Sequence, residues 1–345
     1  MRTEKRKGFV GFVQRLGPGL ITGASDDDPS GIGTYSQVGS QFGYGLLWLA
    51  LFTYPLMSSV QELCARIALQ TGVGLGASLR RKFPRWLVGI AILGLLAANT
   101  FNVGADLGAV AAAGSLLSRG AIHALWLVVP VALLIIALQV FATYATIFKI
   151  FKWLTLALFA YVITAFFAHP ALLEVLRATV IPHIEFSKDF VMALVAVLGT
   201  TISPYLFFWQ ASAEVDELAA AGATNRQAGR HGLRLSELRA ARTDVLIGMA
   251  FSNLVMYFII LTLATVAGVA MNFMHLDPIR ALFLAAVING VVAPPLLLLI
   301  VLLGRDPAVM KRYVSGTLSL VLTAIATVFM ALAAIAMFAT IFTGG

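Results

Sequence analysis

Charged side chains are scarce in this sequence. Of its 345 residues, 12% are charged and 60% are hydrophobic, whereas a soluble domain carries about 25% charged residues. This shortage excludes a soluble globular protein and indicates a chain that crosses a lipid bilayer many times. The net charge of +8 does not indicate a nucleic-acid partner, because the basic residues stand in short loops between apolar runs, as the positive-inside rule describes.

Cysteine is almost absent as well. The single thiol, Cys64, excludes a disulfide within the chain and a cluster of thiolate ligands. The basic segment 1–15 contains no short apolar stretch that ends in a cleavage site, so we expect a cytoplasmic tail rather than a signal peptide. The chain also lacks a nucleophile–base pairing and a zinc-protease motif, so we do not expect an enzyme.

Apolar runs, in contrast, fill the chain. After a first segment at 17–43 they span 45–71, 86–117, 123–142, 145–168, 189–217, 243–272, 281–303 and 314–341. Most contain the roughly 20 apolar residues that cross about 30 Å of hydrocarbon, so we predict about nine membrane-spanning helices in a single domain over 1–345. Basic residues cluster in alternate loops, including a loop at 218–242, which places the N-terminus in the cytoplasm and the C-terminus outside.

The first segment does not fit a continuous helix. It reads GPGLITGASDDDPSGIGTYSQVGSQFG and places three consecutive aspartates, Asp26, Asp27 and Asp28, at its centre. A charge at that depth costs roughly 2.5–3.5 kcal/mol per residue, and irregular backbone survives in a membrane only where protein or water covers it. We therefore predict two half-helices around an unwound, acidic, cation-attracting middle. The predicted break comprises Pro29, Ser30 and Gly31.

The sixth span carries a second candidate break. Thr200, Thr201, Ser203 and Pro204 lie near its middle, between apolar neighbours. Alone, the proline could be a kink that the threonine hydroxyls heal. Because five spans separate it from the first break, we favour two five-helix inverted repeats whose broken helices meet at a central site, as in secondary transporters.

Four stretches occur in order along the chain: the aspartate segment, YPLMSSVQELCAR at 54–66, NTFNVGAD at 99–106 and AVINGVVAPP at 286–295. Together they resemble the Nramp divalent-metal transporters, and most closely their divergent bacterial relatives. The resemblance implies an all-α, LeuT-type inverted-repeat bundle. It further implies movement of divalent metal cations across the bacterial cytoplasmic membrane by alternating access. It also implies that about two helices of the family pattern are missing.

The resemblance assigns roles within the first break. The family motif Asp-Pro-Gly-Asn falls on Asp28, Pro29, Ser30 and Gly31. The metal-binding aspartate of the family is therefore Asp28 here. The asparagine of the motif is absent, because Gly31 has no side chain.

The second break departs further from the family. The motif Met-Pro-His falls on Ser203, Pro204 and Tyr205, and a further histidine of that helix falls on Gln210. Without the thioether, the site should prefer Mn²⁺ or Mg²⁺ over softer ions. Without the two histidines, we expect weak or no proton co-transport.

Hard divalent cations prefer carboxylate, carbonyl and water oxygens. For Asp26 and Asp27 the alternative to a role at the site is capping of the second half-helix at Ser30. The predicted metal ligands are Asp28, Asp27, the carbonyls near Ser25 and Thr200, and the hydroxyl of Ser203.

Polar residues on other spans are candidates to line the path or to support the site. Asn99, Asn102 and Asp106 are spaced three and four apart, so they share one face of the third span. They form a polar seam between helices, a hydrated path from the site or a second acidic group. Glu62 and Arg66, four apart, predict a structural ion pair. The remaining members of the candidate path or support set are Asp26, Tyr205, Gln210, Asn253 and Asn289.

Two alternatives to a divalent-cation transporter stay open. One is a truncated, non-transporting membrane relative, and the other is a transporter of another small solute, although three aspartates disfavour an anionic one. The expected partners are the divalent ion, as substrate, and the lipid bilayer. We expect no resident cofactor and no nucleic acid, and the sequence leaves the oligomeric state open.

Overall fold

The computed structural model describes residues 18–141, 157–220, 235–270 and 277–343. Within these ranges the chain is α-helical, with short 3₁₀ turns at Gly43–Leu46 and Lys311–Tyr313 and no strand. In chain order the helices are α1 (Pro18–Asp26), α2 (Pro29–Phe42), α3 (Trp48–Thr71), α4 (Leu75–Lys82), α5 (Arg85–Leu117), α6 (Ala124–Phe141), α7 (Ala157–Phe167), α8 (Leu172–Val180), α9 (Lys188–Thr201), α10 (Pro204–Ala220), α11 (Leu235–Ala270), α12 (Asp277–Gly304), α13 (Pro307–Met310) and α14 (Thr317–Thr343).

Each predicted span contains one or two of these helices. Among the described residues, six helical stretches are long and apolar enough to cross a membrane: α5, α6, the α9–α10 pair, α11, α12 and α14. The α9–α10 pair is the most buried of them, whereas α6 has no fully buried residue, so the sixth span lies at the centre and α6 at the periphery. The predicted tail 1–15 and parts of the span 145–168 and of the loop 218–242 lie outside the described residues.

The first break is confirmed, but its unwound residues are Asp27 and Asp28. The predicted break residues Pro29, Ser30 and Gly31 instead form the first turn of α2. Helix α1 ends at Asp26 and α2 begins at Pro29, which stands at the first helical position, where a missing N–H costs nothing. Asp28 is the N-cap of α2, and its Oδ1 accepts a hydrogen bond from the Gly31 N–H at 2.9 Å. The capping role considered for Asp26 or Asp27 is therefore wrong, because α2 restarts immediately after Asp28.

The second break is confirmed as well. Helix α9 ends at Thr201 and α10 begins at Pro204, which lacks the N–H that would bond the Thr200 carbonyl. The Ser203 hydroxyl donates to that carbonyl and also contacts the Gly199 carbonyl at 2.9 Å. The Ser203 hydroxyl thus replaces the backbone donor that Pro204 lacks, whereas the Thr201 hydroxyl donates to the Val197 carbonyl within α9.

Glycines hold both broken helices closely against their neighbours. A Cβ at Gly23 of α1 would overlap the backbone of Gly248 in α11, and a Cβ at Gly199 of α9 would overlap the backbone around Gly290 in α12. Small residues let helix backbones approach in this way within membrane bundles. As a result α1 is fixed against α11, and α9 against α12.

Helices also occupy parts of the predicted loops. Helix α8 lies within 169–188, where its apolar residues recur at helical spacing and Val175 is buried. Helices α10 and α11 extend into the predicted loop at 218–242. At the start of α11, Leu238 packs on Leu69 of α3, and Arg242 lies 3.7 Å from Glu62. These tertiary contacts stabilise helix beyond the apolar run.

Candidate cation site

The two helix breaks lie against each other. The Tyr205 hydroxyl, in the first turn of α10, donates to Asp28 Oδ2 at 2.7 Å. The Tyr35 hydroxyl of α2 lies 3.3 Å from Thr201 Oγ1 at the end of α9. A Cβ at Gly31 would lie only 3.3 Å from Thr200 Oγ1, so glycine permits this close approach. The breaks therefore form one region of irregular backbone enclosed by protein, which is the condition for irregular backbone at membrane depth.

Asp28 stands at the contact between the breaks, with its side chain half-buried. Its Oδ1 accepts from the Gly31 N–H and from the Ser30 hydroxyl at 2.6 Å. Its Oδ2 accepts from the Tyr205 hydroxyl and from Asn102 Nδ2 at 3.3 Å. All four donors are neutral, so they fix the orientation of the carboxylate without neutralising its charge.

Asp26 and Asp27 are buried beside Asp28 with few partners. Asp26 Oδ2 accepts from the Ser252 hydroxyl at 2.5 Å, whereas Asp26 Oδ1 and both carboxylate oxygens of Asp27 have no hydrogen-bond partner. Burial of an unpaired carboxylate costs several kcal/mol. Within the described part of the chain, no lysine, arginine or histidine forms an ion pair with any of these aspartates. The region therefore holds carboxyl oxygens without a basic partner in the described ranges, and a bound cation could satisfy them.

The polar face of α5 reaches this centre. Asn102 Nδ2 donates to Asp106 Oδ2 at 3.0 Å as well as to Asp28, and Asn289 Nδ2 of α12 donates to Asn102 Oδ1 at 3.2 Å. Asn99 is not part of this chain of hydrogen bonds, and its Oδ1 is buried without a partner. A second buried carboxylate side chain, Asp106, is thus linked to Asp28 through one amide.

The other predicted ligands are placed at the breaks in different ways. Ser25 is half-buried in the last turn of α1, where terminal carbonyls lack donors within the helix. The Ser203 hydroxyl and the Thr200 carbonyl bond each other, whereas Thr200 Oγ1 is buried without a partner. Their roles as ligands stay predictions.

Two predicted path residues make contacts that do not involve Asp28. Gln210 accepts from the Thr22 hydroxyl at 2.5 Å and donates to Glu214 at 2.9 Å, which ties α10 to α1. Asn253 accepts from the Thr53 hydroxyl at 3.0 Å and donates to a backbone carbonyl of α3. These hydrogen bonds position helices around the site.

Sequence reasoning missed Ser252, Tyr35 and Met256. Ser252 is the hydrogen-bond donor to Asp26. It stands beside Asn253 in an otherwise apolar span, and this polar pair could have indicated Ser252 as a candidate from the sequence. The Met256 sulfur lies 3.6 Å from Thr201 Oγ1, so a thioether from α11 does reach the second break. Across the described ranges, no group of three or more His, Cys, Asp or Glu side chains gathers for a metal. A cation held here would use carboxylate together with neutral oxygens and water.

The paired breaks and the bundle around them define a multi-pass membrane protein with the LeuT-type transporter fold. A solved structure of the manganese transporter of Eremococcus coleocola, in complex with an aromatic bis-isothiourea substituted compound, has a TM-score of 0.72 and 14% identity. That comparison covers 99% of this chain and 90% of the other. A mutant of the same transporter gives a TM-score of 0.64 at 16% identity, with the same coverage.

Residues 19–268 match the family model described as natural resistance-associated macrophage protein-like, and the chain belongs to the Nramp family. It is 26% identical over 278 residues to the divalent metal cation transporter MntH of Erwinia tasmaniensis, covering 76% of this chain and 63% of that protein. It is 27% identical over 205 residues to MntH of Bacillus subtilis, covering 59% and 48%. The chain thus spans from about half to just under two thirds of these relatives. The resemblance seen in the motifs is confirmed, whereas the absence of about two helices stays a prediction.

Proposed function

We propose that this protein is a secondary transporter that moves divalent metal cations, with Mn²⁺ or Mg²⁺ favoured, across the cytoplasmic membrane by alternating access. The observation that carries the proposal is the Asp28 carboxylate, which stands where the two helix breaks meet and has only neutral donors. Asp26 and Asp27 add carboxyl groups without a basic partner in the described ranges. The name of the MntH relatives, divalent metal cation transporter, agrees with this chemistry.

The Asp28 carboxylate accepts from four neutral donors, one of which, Asn102 Nδ2, also donates to Asp106. We expect the cation to lie where both Asp28 and Asp106 can contact it. Carboxylates together with hydroxyl, carbonyl and water oxygens suit small hard ions. Ser203 offers an oxygen where the family has a thioether, and the Met256 sulfur at the second break accepts from Thr201; this arrangement favours Mn²⁺ and Mg²⁺ over Cd²⁺ at the site.

In this proposal the metal is the transported substrate and no resident cofactor takes part. The basic loops orient the N-terminus toward the cytoplasm and the C-terminus outward. The breaks leave α1 and α10 as half-helices beside the site, and we expect one group of packed helices to rock against the other about it, as in proteins with this repeat plan.

Uptake of Mn²⁺ into liposomes that contain purified protein tests the proposal. Asp28→Ala should abolish uptake, and Glu185→Ala, which removes an exposed carboxylate from a loop, should leave it at the wild-type rate. Uptake that persists unchanged in Asp28→Ala would show that the site is assigned wrongly. Competition with Mg²⁺, Cd²⁺ and a panel of amino acids separates a metal transporter from a carrier of another solute.

A binding protein without transport is the second candidate, because about two helices of the family pattern have no counterpart among the predicted spans. Wild-type protein that binds Mn²⁺ by calorimetry, and moves none into liposomes, would favour this candidate. Saturable uptake by wild-type protein would exclude it.

A further inference from the structure

Asn289 is a fully buried asparagine on α12, at 0% exposure, and lies one helix away from the carboxylates. Its Nδ2 donates to Asn102 Oδ1 at 3.2 Å, and its own Oδ1 has no partner. The neighbouring Gly290 packs closely on α9, where a Cβ would lie 2.6 Å from the Val195 carbonyl oxygen. This close packing holds the α12 backbone next to Asn289 against α9.

The orientation of the Asn102 amide follows from its partners. A carboxyl oxygen that faces an amide accepts from the NH₂ group, and Asn102 Nδ2 lies 3.3 Å from Asp28 Oδ2 and 3.0 Å from Asp106 Oδ2. The amide oxygen therefore points the opposite way, toward α12. In the described part of the chain, Asn289 is the one hydrogen-bond donor to that oxygen.

We propose that Asn289 is a positioning residue for the cation site, acting through Asn102. Its hydrogen bond fixes which end of the Asn102 amide faces the carboxylates. The fixed NH₂ group donates to both Asp28 and Asp106 and keeps the two carboxyl groups close enough to share a cation. This inference rests on the proposed function and adds to it the residue that preorganises the pair.

Loss of Asn289 leaves the Asn102 amide free to rotate, so its donors no longer hold the two carboxylates together. Asp28 keeps its donors from Gly31, Ser30 and Tyr205, so the site is weakened rather than destroyed. We expect Asn289→Leu, which is close to asparagine in size, to weaken Mn²⁺ binding about tenfold, or about 1.4 kcal/mol.

Calorimetric titration of purified protein with Mn²⁺ tests this inference through a double-mutant cycle. Asn289→Leu and Asn102→Ala should each raise the Kd about tenfold, and the double variant should bind no more weakly than Asn102→Ala alone. Thr323→Val, which removes a buried hydroxyl bonded within α14, is the control and should bind like the wild type. A purely structural role for Asn289 would instead make the two effects additive.

The outcomes separate this inference from the proposed function. A wild-type protein without saturable Mn²⁺ binding would overturn both. Binding that Asp28→Ala abolishes and Asn289→Leu leaves unchanged or tighter would overturn the role of Asn289 alone. Additive losses in the double variant would overturn it as well.

Discussion

Asp28 caps helix α2 and carries the charge proposed to attract the cation, and an isosteric substitution separates these two roles. Its Oδ1 caps α2 by accepting from the Gly31 N–H, and its charge is the proposed attraction for the cation. Asp28→Asn keeps an oxygen for the cap and removes the charge, whereas Asp28→Ala removes both. The Tyr205 hydroxyl, which now donates to Asp28, can accept from the new amide.

The expected magnitudes differ for the two roles. Loss of an N-cap costs about 0.5–2 kcal/mol, which lowers a thermal midpoint by a few degrees. Two unit charges 4 Å apart interact by about 4 kcal/mol at an effective dielectric constant of about 20, and a divalent cation doubles this. If the variant loses only a third of this attraction of about 8 kcal/mol, Mn²⁺ binding weakens about 100-fold.

Calorimetry with Mn²⁺ and thermal unfolding, measured on the same protein, test this separation. Both variants should bind Mn²⁺ at least about 100-fold more weakly than the wild type. Only Asp28→Ala should unfold at a lower temperature. An Asp28→Asn protein that binds Mn²⁺ like the wild type would refute the ligand role, and equal thermal midpoints for the two variants would refute the capping role.

Glycine packing and one loop ion pair give two more tests. Gly23→Leu should prevent formation of a monodisperse folded protein in gel filtration, because its side chain would overlap the backbone of α11; Gly89→Ala, with open space around it, should elute like the wild type. The hydrogen bond from Lys82 lowers the pKa of the Asp306 carboxyl in the folded protein. The ion pair therefore stabilises the fold fully above the unfolded pKa of about 3.9, and this stabilisation is lost as the pH falls through the folded pKa. Asp306→Asn should therefore lower the thermal midpoint near pH 7 and not below the folded pKa, and a difference independent of pH would contradict this linkage.

Both helix breaks could be predicted because their causes are local. Pro29 and Pro204 each remove a backbone donor within an apolar segment, and the aspartates before Pro29 cannot sit in lipid on a continuous helix. The adjacency of the two breaks followed from their spacing along the chain, since the first and sixth spans meet in inverted-repeat transporters. These inferences needed no knowledge of tertiary contacts.

The identity of the capping residue was harder to predict. Three successive aspartates can each cap a helix, and the choice depends on the residue at which α2 restarts. The partners of the carboxylates are also remote in sequence: Ser252 comes from α11 and Asn289 from α12. A single polar residue in an apolar span indicates burial, but it does not indicate which neighbouring helix it faces.

Helix α8 was missed although its signal was present. Leu172, Val175 and Leu176 recur at helical spacing within the predicted loop 169–188. Predicting spans by apolar length alone overlooks helices that are too short to cross a membrane. The helical start of α11 was missed for a different reason, since contacts with Leu69 and Glu62 stabilise it.

The position of a bound ion tests the central claim most directly. Anomalous difference density from crystals of the wild-type protein grown with Mn²⁺ should show a peak between the two helix breaks, about 2.0–2.6 Å from a carboxylate oxygen of Asp28. A Mn²⁺ peak at any other position, with none beside Asp28, would contradict the claim that the paired breaks form the cation site.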